Sequence, residues 1–238
     1  MNYETIVATV GADRLGTITL NRAGRRNAIS TRMRREFSDC LACWRGDDRV
    51  GAVIVTGAGQ AFSAGFDLDE FRAPEGHREL LASSSRYHRD LWNFPKPTIA
   101  AVNGPAMGGG FDLACLCDLR IAATTAVFGH PEIKFGAPPL FTPLRFIVGE
   151  GHARELCLTG RRFDAVEALR IGLVSAVHDP ASLGEEAATL ASAILEAPAD
   201  ALRYLKGTFL AAGAKGFEDS FLAEHDRAFE EVLLPKFS

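Results

Sequence analysis

The chain has 238 residues, 47% of them hydrophobic and 24% charged, with a formal net charge of −4 and a pI near 5.9. That length supports one sizeable core, with room for a small appendage. Nucleic acid is a disfavoured partner, because an acidic chain lacks the basic surface that dominates such binding.

The chain opens as MNYETIVATV, with no basic flank ahead of an apolar core, so no secretory leader is expected. No apolar run reaches the roughly 18 residues that a membrane helix needs, and no membrane association is expected. Residues 3–10 and 14–21 read as a hairpin turned by GAD. Ser30 or Thr31 can cap a helix running to Trp44, with Met33, Phe37, Leu41 and Trp44 on one face. GAVIVTG (51–57) and TIAAVNG (98–104) are short β-branched or apolar runs of the kind found in buried strands. Between them, 77–93 reads as a helix that PKP at 95–97 ends. A further helix starts in the glycines of NGPAMGGGFDLACLCD (103–118), and DLRIAA (118–123) returns as a strand.

After about residue 140 helices dominate, over 142–158, 164–171, 182–196, 198–212 and 217–233. Asp164 with Glu167 has the spacing of a capping box, and LVSAV (173–177) reads as the last strand. The chain is therefore α/β, with strands early and helices late. The five cysteines are an odd number in a chain too large to need staples, which points to free thiols and a cytoplasmic protein. Cys40–Cys43 lies within a helical pattern and Cys115–Cys117 in an apolar run, so both pairs read as small buried hydrophobes; no metal site is expected.

The glycine run lies mid-chain, without the spacing of a dinucleotide fingerprint and without a GK[ST] ending. Two readings remain: close packing of a strand on a helix, or an oxyanion hole. A helix start offers free N–H groups and a positive dipole end, and bare glycines let a carbonyl approach them. AFSAGFDL (61–68) supplies a second small-residue turn after a strand-like run, and so a second donor.

AFSAGFDL, the glycine segment and FGHPEIKFG (128–136), in that order, resemble the enoyl-CoA hydratase/isomerase family, the crotonase superfamily. NRAGRRNAIS (21–30) and TGRRFDAVEALRIGLVSAV (159–177) extend the match to roughly residues 14–210. The resemblance implies a spiral of ββα units, with a catalytic core over 1–185 and a C-terminal helical assembly region over 186–238. It implies an acyl-CoA substrate, no separate cofactor, and a homotrimer or a dimer of trimers.

By the same resemblance the oxyanion donors are the amides of Phe66 and Gly109. The catalytic acids, three and twenty-three residues after that glycine, are Asp112 and Glu132. Arg25, Arg26, Ala64 and Lys236 stand where relatives contact CoA. Arg32, Arg34 and Arg35 read instead as a solvated helix face.

Two departures matter. Typical hydratases have Glu where Asp112 stands, one methylene longer, and KFGAPPLFTPLRFIVG replaces a Gly-rich segment after Glu132. Leu140 occupies the position where dienoyl-CoA isomerases and chlorobenzoyl-CoA dehalogenases carry Asp, which disfavours both activities. Three readings lead: hydration of a 2-enoyl-CoA by Glu132 with Asp112, Δ3–Δ2 isomerisation by Glu132 alone, and acyl-CoA binding without turnover; hydrolysis or decarboxylation of another acyl-CoA stays open beside them.

Overall fold

A computed structural model describes residues 2–72, 76–212 and 217–236. Strands β1 (Ile6–Val10) and β2 (Leu15–Leu20) form the expected antiparallel hairpin. From β2 onward the sheet is parallel, through β3 (Ala52–Gly57), β4 (Thr98–Val102), β6 (Leu119–Ala123) and β9 (Val177–His178). The strand order is β1-β2-β3-β4-β6-β9. A second, small sheet joins β5 (Ala106–Met107), β7 (Val127–Gly129) and β8 (Phe163–Asp164) in the order β5-β7-β8.

The unbroken apolar runs of β3 and β4 follow from burial on both faces. Val53, Val55, Ala100 and Val102 face the larger core, which holds Phe37, Leu41, Trp44, Tyr87 and Leu91. Ala52, Ile54, Ile99 and Ala101 face the opposite layer, which is closed by Leu183, Ala187 and Ala191 of α6 (Leu183–Leu195). The boundary placed at 185/186 by sequence falls inside α6, a helix that covers the central sheet.

Helix α1 (Thr31–Arg45) starts at Ser30, whose Oγ accepts a hydrogen bond from the Met33 amide at 3.2 Å. Helix α2 (His77–Trp92) packs against it. Helix α3 (Gly109–Leu116) begins in the glycine run, and all its residues are buried, which suits an element apolar but for Asp112. Helix α4 (Phe141–Thr159) is broken at Gly149, where φ is 76°. Asp164 caps α5 (Ala165–Arg170) by accepting from the Glu167 amide at 2.8 Å. The Glu167 carboxylate accepts from Arg161 and Arg170 instead of returning to the cap.

Helices α7 (Ala199–Ala212) and α8 (Phe217–Arg227) follow, and one π turn (228–233) and one 3-10 turn (234–236) end the described chain. Helix α8 lies against α2 and α4. Among the described residues, no helix is long and apolar enough to cross a membrane.

Three sequence expectations change. LVSAV is a strand only at its end, because the amides of Leu173 and Val174 donate to the Ala168 carbonyl and so terminate α5. Cys43 is exposed, whereas Cys40, Cys115, Cys117 and Cys157 are buried thiols. Arg32 and Arg35 are exposed and paired with Glu4, Glu36 and Glu79, as a solvated face requires, but Arg34 is fully buried.

The Arg34 guanidinium donates to Ser83 Oγ, the Ile29 carbonyl, Thr31 Oγ1 and Glu70, and lies 5.1 Å from the Phe66 ring centroid. Burial lowers its pKa, and the Glu70 carboxylate opposes that shift. The side chain ties α1 to α2 and to the loop that carries Phe66. Arg34→Ala removes the cation from Glu70 and the donor from Ser83 Oγ, the Ile29 carbonyl and Thr31 Oγ1. It is expected to cost about 3–5 kcal/mol, read as a lower midpoint in urea unfolding.

Candidate active site

After β3 the chain turns through Ser63–Phe66, and after β4 it turns into α3. The isolated parallel bridge of Ser63 with Ala106 sets these turns side by side, and that of Ile29 with Phe66 ties the first of them to the segment before α1. The contact tolerates almost no side chain. A Cβ on Gly110 would stand 2.6 Å from Ser63 Cβ, and a Cβ on Gly65 would stand 2.8 Å from the Met107 carbonyl oxygen and 3.3 Å from the Gly109 nitrogen. The sequence therefore places the Phe66 and Gly109 amides at one junction. Among the described residues, no hydrogen-bond partner is found for either N–H. Gly109 is the first residue of α3, so its N–H is one of the amides a helix leaves unbonded, at the positive end of the dipole.

Gly108 precedes it with φ 50°, a left-handed conformation that L side chains rarely adopt. A Cβ there would lie 3.1–3.2 Å from the Glu132 carboxylate. Glu132 reaches this place from the 3-10 turn Pro131–Phe135, which follows β7. Burial raises its pKa to about 7; the Asp112 charge adds to the rise and His130 opposes it. A carboxyl group so poised can give or take a proton near neutral pH.

Asp112 lies in the first turn of α3. Its Oδ1 accepts from Nε2 of His130 at 2.9 Å. His130 is buried and stacked on Phe111, with ring centroids 4.7 Å apart. Burial on its own would depress the imidazolium, but the charge and hydrogen bond of Asp112 outweigh it and hold the pKa up at about 10. His130 therefore occupies one oxygen of Asp112 and supplies its counter-charge, while Asp112 still contributes to the cavity wall.

That cavity holds about 430 Å³. It brings together Phe66, Gly109, Asp112, Glu132 and Ala64 of the sequence candidates. Arg26 is adjacent through its backbone, since the Ala64 amide donates to the Arg26 carbonyl at 2.9 Å. Arg25 is exposed and donates to Asp69, which also accepts from Arg72. The Lys236 side chain lies outside the described residues. A second cavity of about 660 Å³ contains none of these groups. Its Asp118, Arg120 and Lys206 are engaged with one another and with the backbone.

Sequence reasoning passed over His130, Arg72, His225 and Phe229. The last three also line the active-site cavity. His130 stands within FGHPEIKFG, two residues before Glu132, and that offset was its only signal. Arg72, His225 and Phe229 belong to no motif, and they reach the site only through packing.

Two amides without a partner among the described residues and two carboxylates thus border one cavity, carried by a parallel sheet with a small second sheet. The family model described as enoyl-CoA hydratase/isomerase matches residues 12–232, and the chain belongs to that family as one of its enzymes. The chain is 36% identical to the short-chain-enoyl-CoA hydratase of Clostridium acetobutylicum, over 92% of this chain and 86% of that protein. The crystal structure of an enoyl-CoA hydratase/isomerase from Xanthobacter autotrophicus Py2 superposes with a TM-score of 0.89 at 36% identity, covering 96% of this chain and 88% of that one. A monofunctional enoyl-CoA isomerase from M. smegmatis superposes with a TM-score of 0.76 at 31% identity, over 89% and 94% of the two chains.

The raised pKa of Glu132 has a consequence for stability. A group whose pKa rises from 4.5 to about 7 on folding favours the folded state most below pH 4.5 and loses that contribution as pH climbs through 7. Glu132→Gln lacks this penalty. Its melting temperature relative to wild type should therefore rise between pH 4.5 and pH 7.5 and level off above; a pH-independent difference in thermal melts would contradict the buried, raised carboxyl.

Proposed function

We propose that the protein hydrates a 2-enoyl-CoA, with the amides of Phe66 and Gly109 holding the thioester oxygen while an enolate forms. The observation that carries this reading is the Glu132 carboxyl group, held against Gly108, the residue before Gly109, with its pKa raised to about 7. Water adds to C3 as the π electrons move toward the carbonyl oxygen, where two fixed donors and a helix dipole stabilise the charge. Water loses a proton as it attacks, and C2 gains one as the enolate collapses. Glu132 is the group placed to move these protons. Asp112, with one oxygen on His130, offers the other as an acceptor that orients the attacking water. The relatives named as hydratases support this order of preference.

The Asp112–His130 pair favours a second reading. If that pairing keeps Asp112 from the water, Glu132 alone still suffices to remove a proton from C2 and return it at C4, which is Δ3–Δ2 isomerisation. Binding without turnover is the third reading, and a Glu132 without catalytic consequence is its signature.

For CoA, Arg25, Arg26 and Ala64 lie beside the turn that carries Phe66, and Arg72 joins Arg25 at Asp69. Phosphate groups would compete with Asp69 for these guanidinium groups. The exposed Tyr204, Leu205 and Phe209 of α7 support assembly into a trimer through the C-terminal helices, which light scattering on the eluted protein would read as three copies.

The test is mass spectrometry of products from 2-enoyl-CoA and 3-enoyl-CoA in H2(18)O. Labelled 3-hydroxyacyl-CoA that disappears in Glu132→Gln is the expected result. Conversion of 3-enoyl to 2-enoyl without label would establish the isomerase. Gly108→Ala should lower kcat by about 100-fold or more, because the new methyl displaces the Glu132 carboxylate. Asp112→Asn should lower kcat for hydration but leave isomerisation of a 3-enoyl-CoA largely intact.

A further inference from the structure

Ser63 is fully buried between the two turns that carry the Phe66 and Gly109 amides, behind the cavity wall. Its hydroxyl makes two hydrogen bonds whose directions follow from the partners. Oγ donates to the Asn27 carbonyl at 2.8 Å and accepts from the Gly65 amide at 3.2 Å. The Ser63 main chain binds the other turn. Its amide donates to the Pro105 carbonyl at 3.1 Å, and its carbonyl accepts from the Met107 amide at 2.9 Å. One residue thus joins the first turn, the segment before α1, and β5, which leads directly to Gly108 and Gly109.

Gly65 shows what the hydroxyl is for. Its φ of 91° lies in a region that glycine enters without steric cost, so local sterics do little to fix the peptides on either side. The Gly65 carbonyl accepts from the Ile29 amide at 2.8 Å, which holds the peptide containing the Phe66 N–H. The peptide before it is held by Ser63 Oγ. Asn27, the acceptor for that hydroxyl, is itself buried and anchored: its Nδ2 donates to the carbonyls of Ala58 and Ala61 at 2.9 and 2.8 Å, and its Oδ1 accepts from the Arg22 amide at 2.9 Å. On its remaining side Ser63 lies against the first turn of α3, where a Cβ on Gly110 would stand 2.8 Å from Oγ.

We propose that Ser63 is a positioning residue whose hydroxyl sets the spacing of the Phe66 and Gly109 amides, and so how strongly the pair polarises a thioester carbonyl. Ser63 touches no reacting atom. It acts on one donor through Gly65 and on the other through its contact with Gly110. Two donors stabilise an oxyanion when both stand about 2.7–3.1 Å from the same oxygen, so a small drift of either one weakens the pair. This inference rests on the reading of these amides as oxyanion donors, but not on which reaction follows.

The experiment uses butyryl- and octanoyl-CoA, saturated thioesters that undergo neither hydration nor isomerisation, each with 12C or 13C at the carbonyl. Isotope-edited infrared spectra give the C=O stretch of the bound thioester, which drops in frequency as the carbonyl is polarised. Wild type should show this drop relative to the free thioester, and Ser63→Ala should lose most of it. On enoyl-CoA substrates, Ser63→Ala should lower kcat about 10-fold or more and leave KM within about 3-fold. Ser63→Cys keeps a donor and an acceptor at the same place and should recover part of the drop and part of kcat. Thr5→Ala is the control for stability. It loses a hydrogen bond from Thr5 Oγ1 to Glu36 at 2.6 Å, away from the cavity, and should leave both the frequency and kcat unchanged.

A drop that survives in Ser63→Ala, or a loss of kcat matched by Thr5→Ala, would overturn the proposal and leave the oxyanion hole in place. Wild type that binds the thioesters without any drop would sink the oxyanion reading, and the proposal with it. A drop lost in Ser63→Ala and partly restored in Ser63→Cys, in a protein that turns over no enoyl-CoA, would sustain the proposal and sink the hydratase reading.

Discussion

The carboxylate of Glu132 fills the space where residue 108 would otherwise carry a side chain, and the site is built around that substitution of one group for another. The left-handed backbone at Gly108 starts α3, so the same residue that admits the carboxylate also aims the Gly109 amide. Gly65 and Gly110 extend the constraint across the junction to Ser63 and Phe66, because a side chain at either would push the two turns apart. The Phe66 and Gly109 amides and the Glu132 carboxylate, from three separate segments, thus meet at one bare junction. For the proposed reaction this is pre-organisation: dipoles fixed before charge develops need little rearrangement in the transition state.

The two carboxyl groups lie in different surroundings. Glu132 loses water without gaining a close cationic partner of its own, and its pKa rises. Asp112 faces a buried imidazolium at hydrogen-bond distance. Environments that separate two carboxyl groups in this way suit them to separate tasks, and the proposed reaction gives proton transfer to Glu132 and a polar ligand to Asp112. The shorter side chain of Asp112 bears on the same point. His130 approaches from β7 and occupies an oxygen, so the side chain is anchored from the far side.

Arg34 and the C-terminal helix support the site from outside. The guanidinium group joins α1, α2 and the Glu70 loop beneath the Phe66 ring, at the back of the turn that presents the Phe66 amide. Helix α8 and the π turn that follows it bring His225 and Phe229 against the same ring. Phe66 is therefore clamped between a buried cation and an aromatic stack. The acyl end of the cavity is shaped by residues far apart in the chain.

Local rules were enough for much of this protein. The sequence alone determined the strand runs of β3, β4 and β6, the Ser30 and Asp164 caps, the helix beginning in the glycines, and the family through three ordered motifs. Short-range features such as periodicity, capping spacing and bare glycine turns survive without knowledge of neighbours. Asp112 and Glu132 were singled out only through the resemblance to the family, and both line the cavity. Tertiary structure decided what depends on distant partners. Arg34 sits on a helix beside exposed arginines, and only the approach of α2 and Glu70 makes its burial tolerable. His130 becomes a charged partner only when β7 sets it against Asp112. His225, 113 positions beyond Asp112 in the chain, reaches the cavity because α8 folds back across α2. Burial and pKa are properties of the assembled neighbourhood, and no local pattern encodes them.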